Sequence, residues 1–192
     1  MSTPSSVPVA FESPAAWEKW LAKHHADARE VWIKIAKKGT GIPSVSYEDA
    51  VEVALCYGWI DGQMRSLDDA FYIQRFTPRA SRSKWSKLNR EKVTRLIETG
   101  RMKPAGLREV ERAKADGRWE AAYDAPSTAR VPDDLREALP RNAKAKAFFA
   151  TLDGRNRYAI LYRIQDAKRP ETRRRRIDQV VAMLADGKKL YP

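Results

Sequence analysis

The sequence predicts an α+β chain: a small antiparallel sheet with helices in the N-terminal part, then an all-helical C-terminal module. Alternation of apolar and polar residues with period two occurs only between about residues 30 and 77, and stripes with a 3.6-residue period recur beyond Pro78. Between the two patterns, Asp124 to Pro132 contains Pro126, Ser127 and Pro132 and reads as a linker.

Residues 1–10, MSTPSSVPVA, have neither a cationic start nor an apolar core of signal-peptide length, and read as a disordered tail. Ser13-Pro14 offers an N-cap followed by proline at the first helical position. Trp17, Trp20, Leu21 and His24 then share one helical face, and the tryptophans, with Trp32, are expected to make core contacts. From Glu30 to Lys37, Val31, Ile33 and Ile35 alternate with Trp32, Lys34 and Ala36, as a half-buried strand requires. Ser46-x-x-Asp49 resembles a capping box for a helix through Ala50, Val51, Ala54 and Leu55, and Gly58 can end it. Strand-like runs over Trp59–Met64 and Phe71–Phe76, joined by a polar turn at Ser66–Asp69, complete an αβαββ unit over residues 11–80.

A helical segment packed on that unit is expected over 81–124. Leu88 and Val93 flank Asn89 as a hydrophobic staple, opening a helix through Leu96 and Ile97 to Gly100. Pro104 starts another, with Leu107, Val110 and Ala113 inward, ending near Gly117. After the linker, a module over 131–191 shows three helical patterns: Ala143–Leu152, Asn156–Ala167, and one opened by Pro170, with Ile177, Val180, Val181 and Leu184 as its stripe and Gly187 as its stop.

At 192 residues and 43% hydrophobic content the chain can bury a core as one domain or two small ones. Its net charge of +12 favours an anionic ligand or nucleic acid. The excess is concentrated in residues 130–192, which hold 16 basic and 8 acidic side chains. A single cysteine, Cys56, excludes an internal disulfide framework and a cysteine-rich zinc site, and suits a reducing compartment, so the cytoplasm is expected. No segment approaches the roughly 20 apolar residues of a membrane span.

The run Ala167-Lys168-Arg169-Pro170-Glu171-Thr172-Arg173-Arg174-Arg175-Arg176-Ile177, with Asp133-Asp134-Leu135 and Phe148-Phe149 before it, is the most distinctive feature of the chain. Through it, residues from about Val131 to Tyr191 resemble the bacteriocin-protection family, the YdeI or OmpD-associated proteins. Longer members are similar also in Gly58-Trp59-Ile60-Asp61-Gly62, Arg75-Phe76-Thr77-Pro78-Arg79, Ser83-x-Trp85-Ser86 and Gly100-Arg101-Met102-x-Pro104-Ala105-Gly106-Leu107. The resemblance implies protection of bacteria against bacteriocins or antimicrobial peptides. It transfers no catalytic residues.

Helical phase separates the four arginines. Arg173 lies one turn before Ile177 on the apolar face, Arg174 at its edge, Arg176 on its flank and Arg175 opposite. Arg173 is expected to be a structural, partly buried residue paired with Glu171, Asp166 or the Asp133-Asp134 pair, because an unpaired buried guanidinium is costly. Four cations near a helix N-terminus also oppose its dipole, which calls for a carboxylate partner or an anionic ligand at Arg174 and Arg176.

In the N-terminal half, Trp59, Asp61, Arg75 and Trp85 are candidates to converge on a pocket. Asp61 has the chemistry of a general base or an anchor for a cationic ligand, against the plainer reading of a turn cap or a partner for Arg65 or Arg75. Arg75, Arg79, Arg82, Lys84, Lys87, Arg90, Lys92 and Arg95, with Trp85 among them, have the residue types of a phosphate-contacting surface, or of a solvated one. His24 and His25 point about 100° apart on a helix and cannot chelate one metal together. No phosphate loop, nucleophile–base pair or metal-ligand cluster is recognisable, so no catalytic residue, metal or cofactor is assigned. Three classes remain: a non-enzymatic cytoplasmic protection or stress-response protein that binds its partner, a nucleic-acid-binding accessory protein, and a small enzyme around Asp61.

Overall fold

A computed structural model describes residues 7–192 and divides them into two compact units. The first holds the described residues as far as Trp85 together with Asn89–Ala121; the second holds Ser86–Leu88 and Ala122–Pro192. The chain is α+β, with its sheet in the N-terminal part and helices dominating the C-terminal part.

In the first unit β1 (Val9–Ala10), β2 (Val31–Ala36), β3 (Trp59–Ser66) and β4 (Phe71–Pro78) form one sheet in the order β1-β2-β4-β3. It is mixed and not purely antiparallel, because β1 runs parallel to β2 with Val9 opposite Ile33. Val9 and Ala10, expected in the tail, therefore belong to the sheet; the expected tail over residues 1–6 lies outside the described residues. A two-residue strand carries too little pattern to be read as one. β2 and β3 both pair antiparallel with β4.

Helices α1 (Pro14–His24) and α2 (Tyr47–Cys56) start at Ser13 and Ser46, whose hydroxyls accept from the amides of Ala16 and Asp49. Their aromatic contacts define the buried side of the sheet. Trp17 lies 5.5 Å from Phe76 and donates its indole N–H to the Ala50 carbonyl, while Trp20 meets Trp59 edge-on at 5.9 Å. Trp17, Trp59 and Phe76 are completely buried, with Leu21, Ile33 and Leu55. Trp32 faces the other side of the sheet and is nonetheless buried, with the Arg65 guanidinium 4.7 Å from its ring centroid.

Helix α3 (Lys87–Glu98) begins two residues before the expected cap at Asn89. The Lys87 amide donates to the Tyr123 carbonyl at 2.8 Å, so Leu88 lies inside the helix and stays exposed, and no staple forms. In α4 (Pro104–Ala115) the buried face is Gly106, Val110 and Ala113, and Leu107 is exposed. Gly106 sets that face: a Cβ there would lie 2.3 Å from the Cys56 carbonyl oxygen, so the start of α4 touches the end of α2 backbone to backbone.

The second unit contains α5 (Asp133–Ala138), a 3-10 turn at Leu139–Arg141, α6 (Ala143–Thr151), α7 (Gly154–Gln165) and α8 (Pro170–Ala185). α5 and the turn are additions to the three helices expected, too short to show a full stripe. They still supply Leu135 and Leu139 to a core completed by Phe149, Ile160, Ile164, Ile177, Val180 and Leu184. Asp153 caps α7 by accepting from the Asn156 amide at 2.7 Å. The buried Asn156 carboxamide exchanges hydrogen bonds with the Tyr191 backbone and ties down the C-terminal residues.

Candidate functional site

Asp61 opens onto a cavity of about 500 Å³ in the first unit, walled by Ile35 and Ala36 of β2, Tyr47 and Glu48 of α2, Met64 of β3, and Tyr72 and Gln74 of β4. That volume lies in the range of small-ligand sites. The β3–β4 register shifts between Asp61 and Met64, and Gln74 holds the irregularity. Its amide, buried in the sheet, donates to the carbonyls of Gly62 at 3.0 Å and of Gln63 at 3.3 Å. A bulge of this kind re-aims the side chains beside it.

The partner of Asp61 is Tyr47, whose hydroxyl donates to Oδ2 at 2.8 Å. Neither Arg65 nor Arg75 pairs with it. Arg75 binds Glu30 at 2.5 Å, and Arg65 donates to Gln63 and lies over Trp32. Desolvation, reinforced by the Asp61 carboxylate, holds the Tyr47 phenol far above its usual value of 10, and burial raises Tyr72 as well. Both phenols therefore keep their protons at neutral pH. A protonated phenol offers a hydrogen-bonding hydroxyl and an aromatic face.

The other sequence candidates lie apart from this cavity. Trp59 is a core residue whose indole N–H donates to the His25 carbonyl at 3.1 Å. Arg79 is buried, with its guanidinium 3.6 Å from the Trp85 ring centroid, and Trp85 meets Trp119 edge-on at 5.0 Å. Arg79 and Trp85 are thus brought together, but by packing; Trp59, Asp61, Arg75 and Trp85 do not converge. The basic run from Arg75 to Arg95 is broken up in the same way, since Arg90 also donates to the Trp119 carbonyl and Lys87 pairs with Asp124.

In the second unit Arg173 grips Asp134 with Nε at 2.5 Å and Nη2 at 2.9 Å, while Nη1 donates to the Ile164 carbonyl at 3.1 Å. Arg173 lines a concavity of about 580 Å³ with Arg141, Arg174 and Asp178. Arg176 is turned elsewhere, toward the Arg163 carbonyl and Asp166. Cys56 is buried and burial pushes its thiol up to about 11, which leaves it unreactive at neutral pH. Among the described residues no group of three or more His, Cys, Asp or Glu is placed to hold a metal, and no helix is long and apolar enough to cross a membrane.

Two family models match separate parts of the chain. Residues 9–109 match the family model of a domain of unknown function, DUF8412, which contains every wall of the Asp61 cavity. Residues 128–187, from the linker to the end of α8, match the family described as bacteriocin-protection, YdeI or OmpD-associated. The chain belongs to the DUF8412 family and carries a C-terminal YdeI/OmpD-associated module. No curated protein and no solved structure matches it. All four runs in the middle of the chain that resemble longer YdeI/OmpD-associated proteins thus fall within the DUF8412 match.

What the sequence did not reveal is the company of Asp61. Tyr47 directly follows the Ser46 cap and reads only as part of a helix start, and Tyr72 and Gln74 read as strand residues. The spacing of 14 residues between Tyr47 and Asp61 follows no local rule; only the packing of α2 beside β3 joins them.

Proposed function

We propose that the protein is a non-enzymatic cytoplasmic protection factor of the YdeI/OmpD-associated class, acting by binding, with the Asp61 cavity of its DUF8412 unit as the ligand site. The observation that carries the binding reading is the cavity itself, where a carboxylate, two protonated phenols and an apolar wall meet without a nucleophile–base pair. Protection as the outcome is supported by the match over residues 128–187. Deleting the gene should sensitise the host to bacteriocins or cationic antimicrobial peptides, and Asp61→Asn should fail to restore resistance. Unchanged sensitivity, together with a turnover activity abolished by Asp61→Asn, would establish the enzyme reading in its place.

The concavity beside Arg173 favours a second reading, contact with nucleic acid, because Arg141 and Arg174 line it and form no ion pair among the described residues. Electrophoretic retention of DNA or RNA across a salt series decides this, since phosphate contacts give a steep logarithmic slope.

A further inference from the structure

The chain carries 37 lysines and arginines, yet among the described residues none forms an ion pair with Asp61 or with Glu48 at the rim of the same cavity. The nearest strand arginines do not reach it: Arg65 and Arg75 belong to the opposite face of the sheet, beside Trp32, where they engage Gln63, Trp32 and Glu30. Lys38 is the one cationic wall residue, and its side chain makes no ion pair with either carboxylate.

Around the carboxylates the wall presents hydrogen-bond acceptors and π-faces. Tyr47 spends its hydroxyl proton on Oδ2 of Asp61 and offers its oxygen lone pairs and ring, and Tyr72 adds a second ring. Ile35 and Ala36 give the cavity an apolar floor, and the exposed Met64 lies at its edge. A half-buried carboxylate beside aromatic faces and apolar carbon is complementary to an organic cation with a hydrophobic body. An anion meets two carboxylates there, and a neutral ligand leaves the Asp61 charge unmatched.

From this we infer that the Asp61 cavity takes a ligand bearing an ammonium or guanidinium group on an apolar stem, with Asp61 supplying the counter-charge and the two tyrosines the faces. The assignment rests on the binding reading above and names its ligand class. Three probes of one shape test it on the full chain by NMR at neutral pH: phenethylamine, 2-phenylethanol and phenylacetate. Phenethylamine should shift the ring resonances of Tyr47 and Tyr72 saturably, 2-phenylethanol should bind about tenfold more weakly, and phenylacetate should give no saturable shift.

Asp61→Asn should bring the amine down to the affinity of the alcohol, whereas Tyr47→Phe, which keeps the carboxylate, should keep the preference for the amine. Equal binding of amine and alcohol, a preference for phenylacetate, no saturable shift with any probe, or an amine affinity unmoved by Asp61→Asn overturns the inference. The comparison of the three probes on the unmodified chain decides even if Asp61→Asn fails to fold. Charge-selective binding without a deletion phenotype would leave this inference standing and remove the protection reading; the reverse result would do the opposite.

Discussion

Arg173 and Arg175 stand two positions apart on α8 with the same side chain and opposite surroundings. Arg173 is held by Asp134 and the Ile164 carbonyl, while Arg175 is exposed. Because the side chains of the pair remain 30% and 42% exposed, Arg173→Ala should cost about 1–2 kcal/mol, less than a fully buried pair would. Arg175→Ala should stay within about 0.5 kcal/mol, and urea denaturation of both variants checks the contrast. The pH dependence has a definite sign. Its hydrogen bonds to Arg173 lower the Asp134 carboxyl below its ordinary 3.8. The stabilisation is therefore complete above that value and fades as pH falls through the lowered one. Arg173→Ala should lose this part of the acid sensitivity; a variant with unaltered acid unfolding would contradict it. The inward phase of Arg173 was readable from helical periodicity, and Asp134 stood among its expected partners. The Asp61 site was half readable: a lone aspartate on a strand declares itself, but its partner comes from a helix brought alongside by tertiary packing.

Elements were legible where a cap or glycine accompanied a stripe. Ser13 and Ser46 start helices as expected, and Gly58 takes the positive φ of +74° that ends α2. α5 escaped because six residues are too few to show a stripe, and β1 and the true start of α3 because each depends on a pairing made elsewhere in the chain. Gly106 belongs to the same class. As a glycine in the first turn of a helix it reads as a weak point, and by propensity alone replacing it with alanine would add up to about 1 kcal/mol of helix stability. The structure reverses that expectation. A Cβ at Gly106 meets the Cys56 carbonyl oxygen at 2.3 Å and its carbon at 2.8 Å, both rigid backbone atoms. Gly106→Ala should destabilise the first unit by about 1–3 kcal/mol through forced separation of α4 from α2, seen as a lower thermal midpoint. A neutral or raised midpoint would mean that the two helices are not in backbone contact. Trp17→Ala, which empties a fully buried site and removes the hydrogen bond to Ala50, should cost about 3–5 kcal/mol.

At the scale of a whole unit, the central feature of the second one is a core made from its own helices. Leu135, Phe149, Ile160, Ile164, Ile177 and Leu184 come entirely from α5 to α8, and the tie between Asn156 and Tyr191 closes the unit at its C-terminal end. Ser86–Leu88 are the residues of this unit that lie earlier in the chain, contributing a β-bridge from Ser86 to Tyr123 and an ion pair from Lys87 to Asp124. With the Lys87 side chain half exposed, that ion pair is worth at most about 1 kcal/mol. A fragment of residues 122–192 should accordingly fold alone: about 70 residues around one apolar core is small but sufficient. Its far-UV circular dichroism should be helical and its thermal unfolding cooperative. Leu135→Ala, at a position contributed by the short helix that sequence periodicity does not reveal, should lower its midpoint strongly, by about 2–5 kcal/mol of stability. A fragment that is helical but melts without cooperativity would show instead that the YdeI/OmpD-associated module depends on residues before Ala122 for its packing.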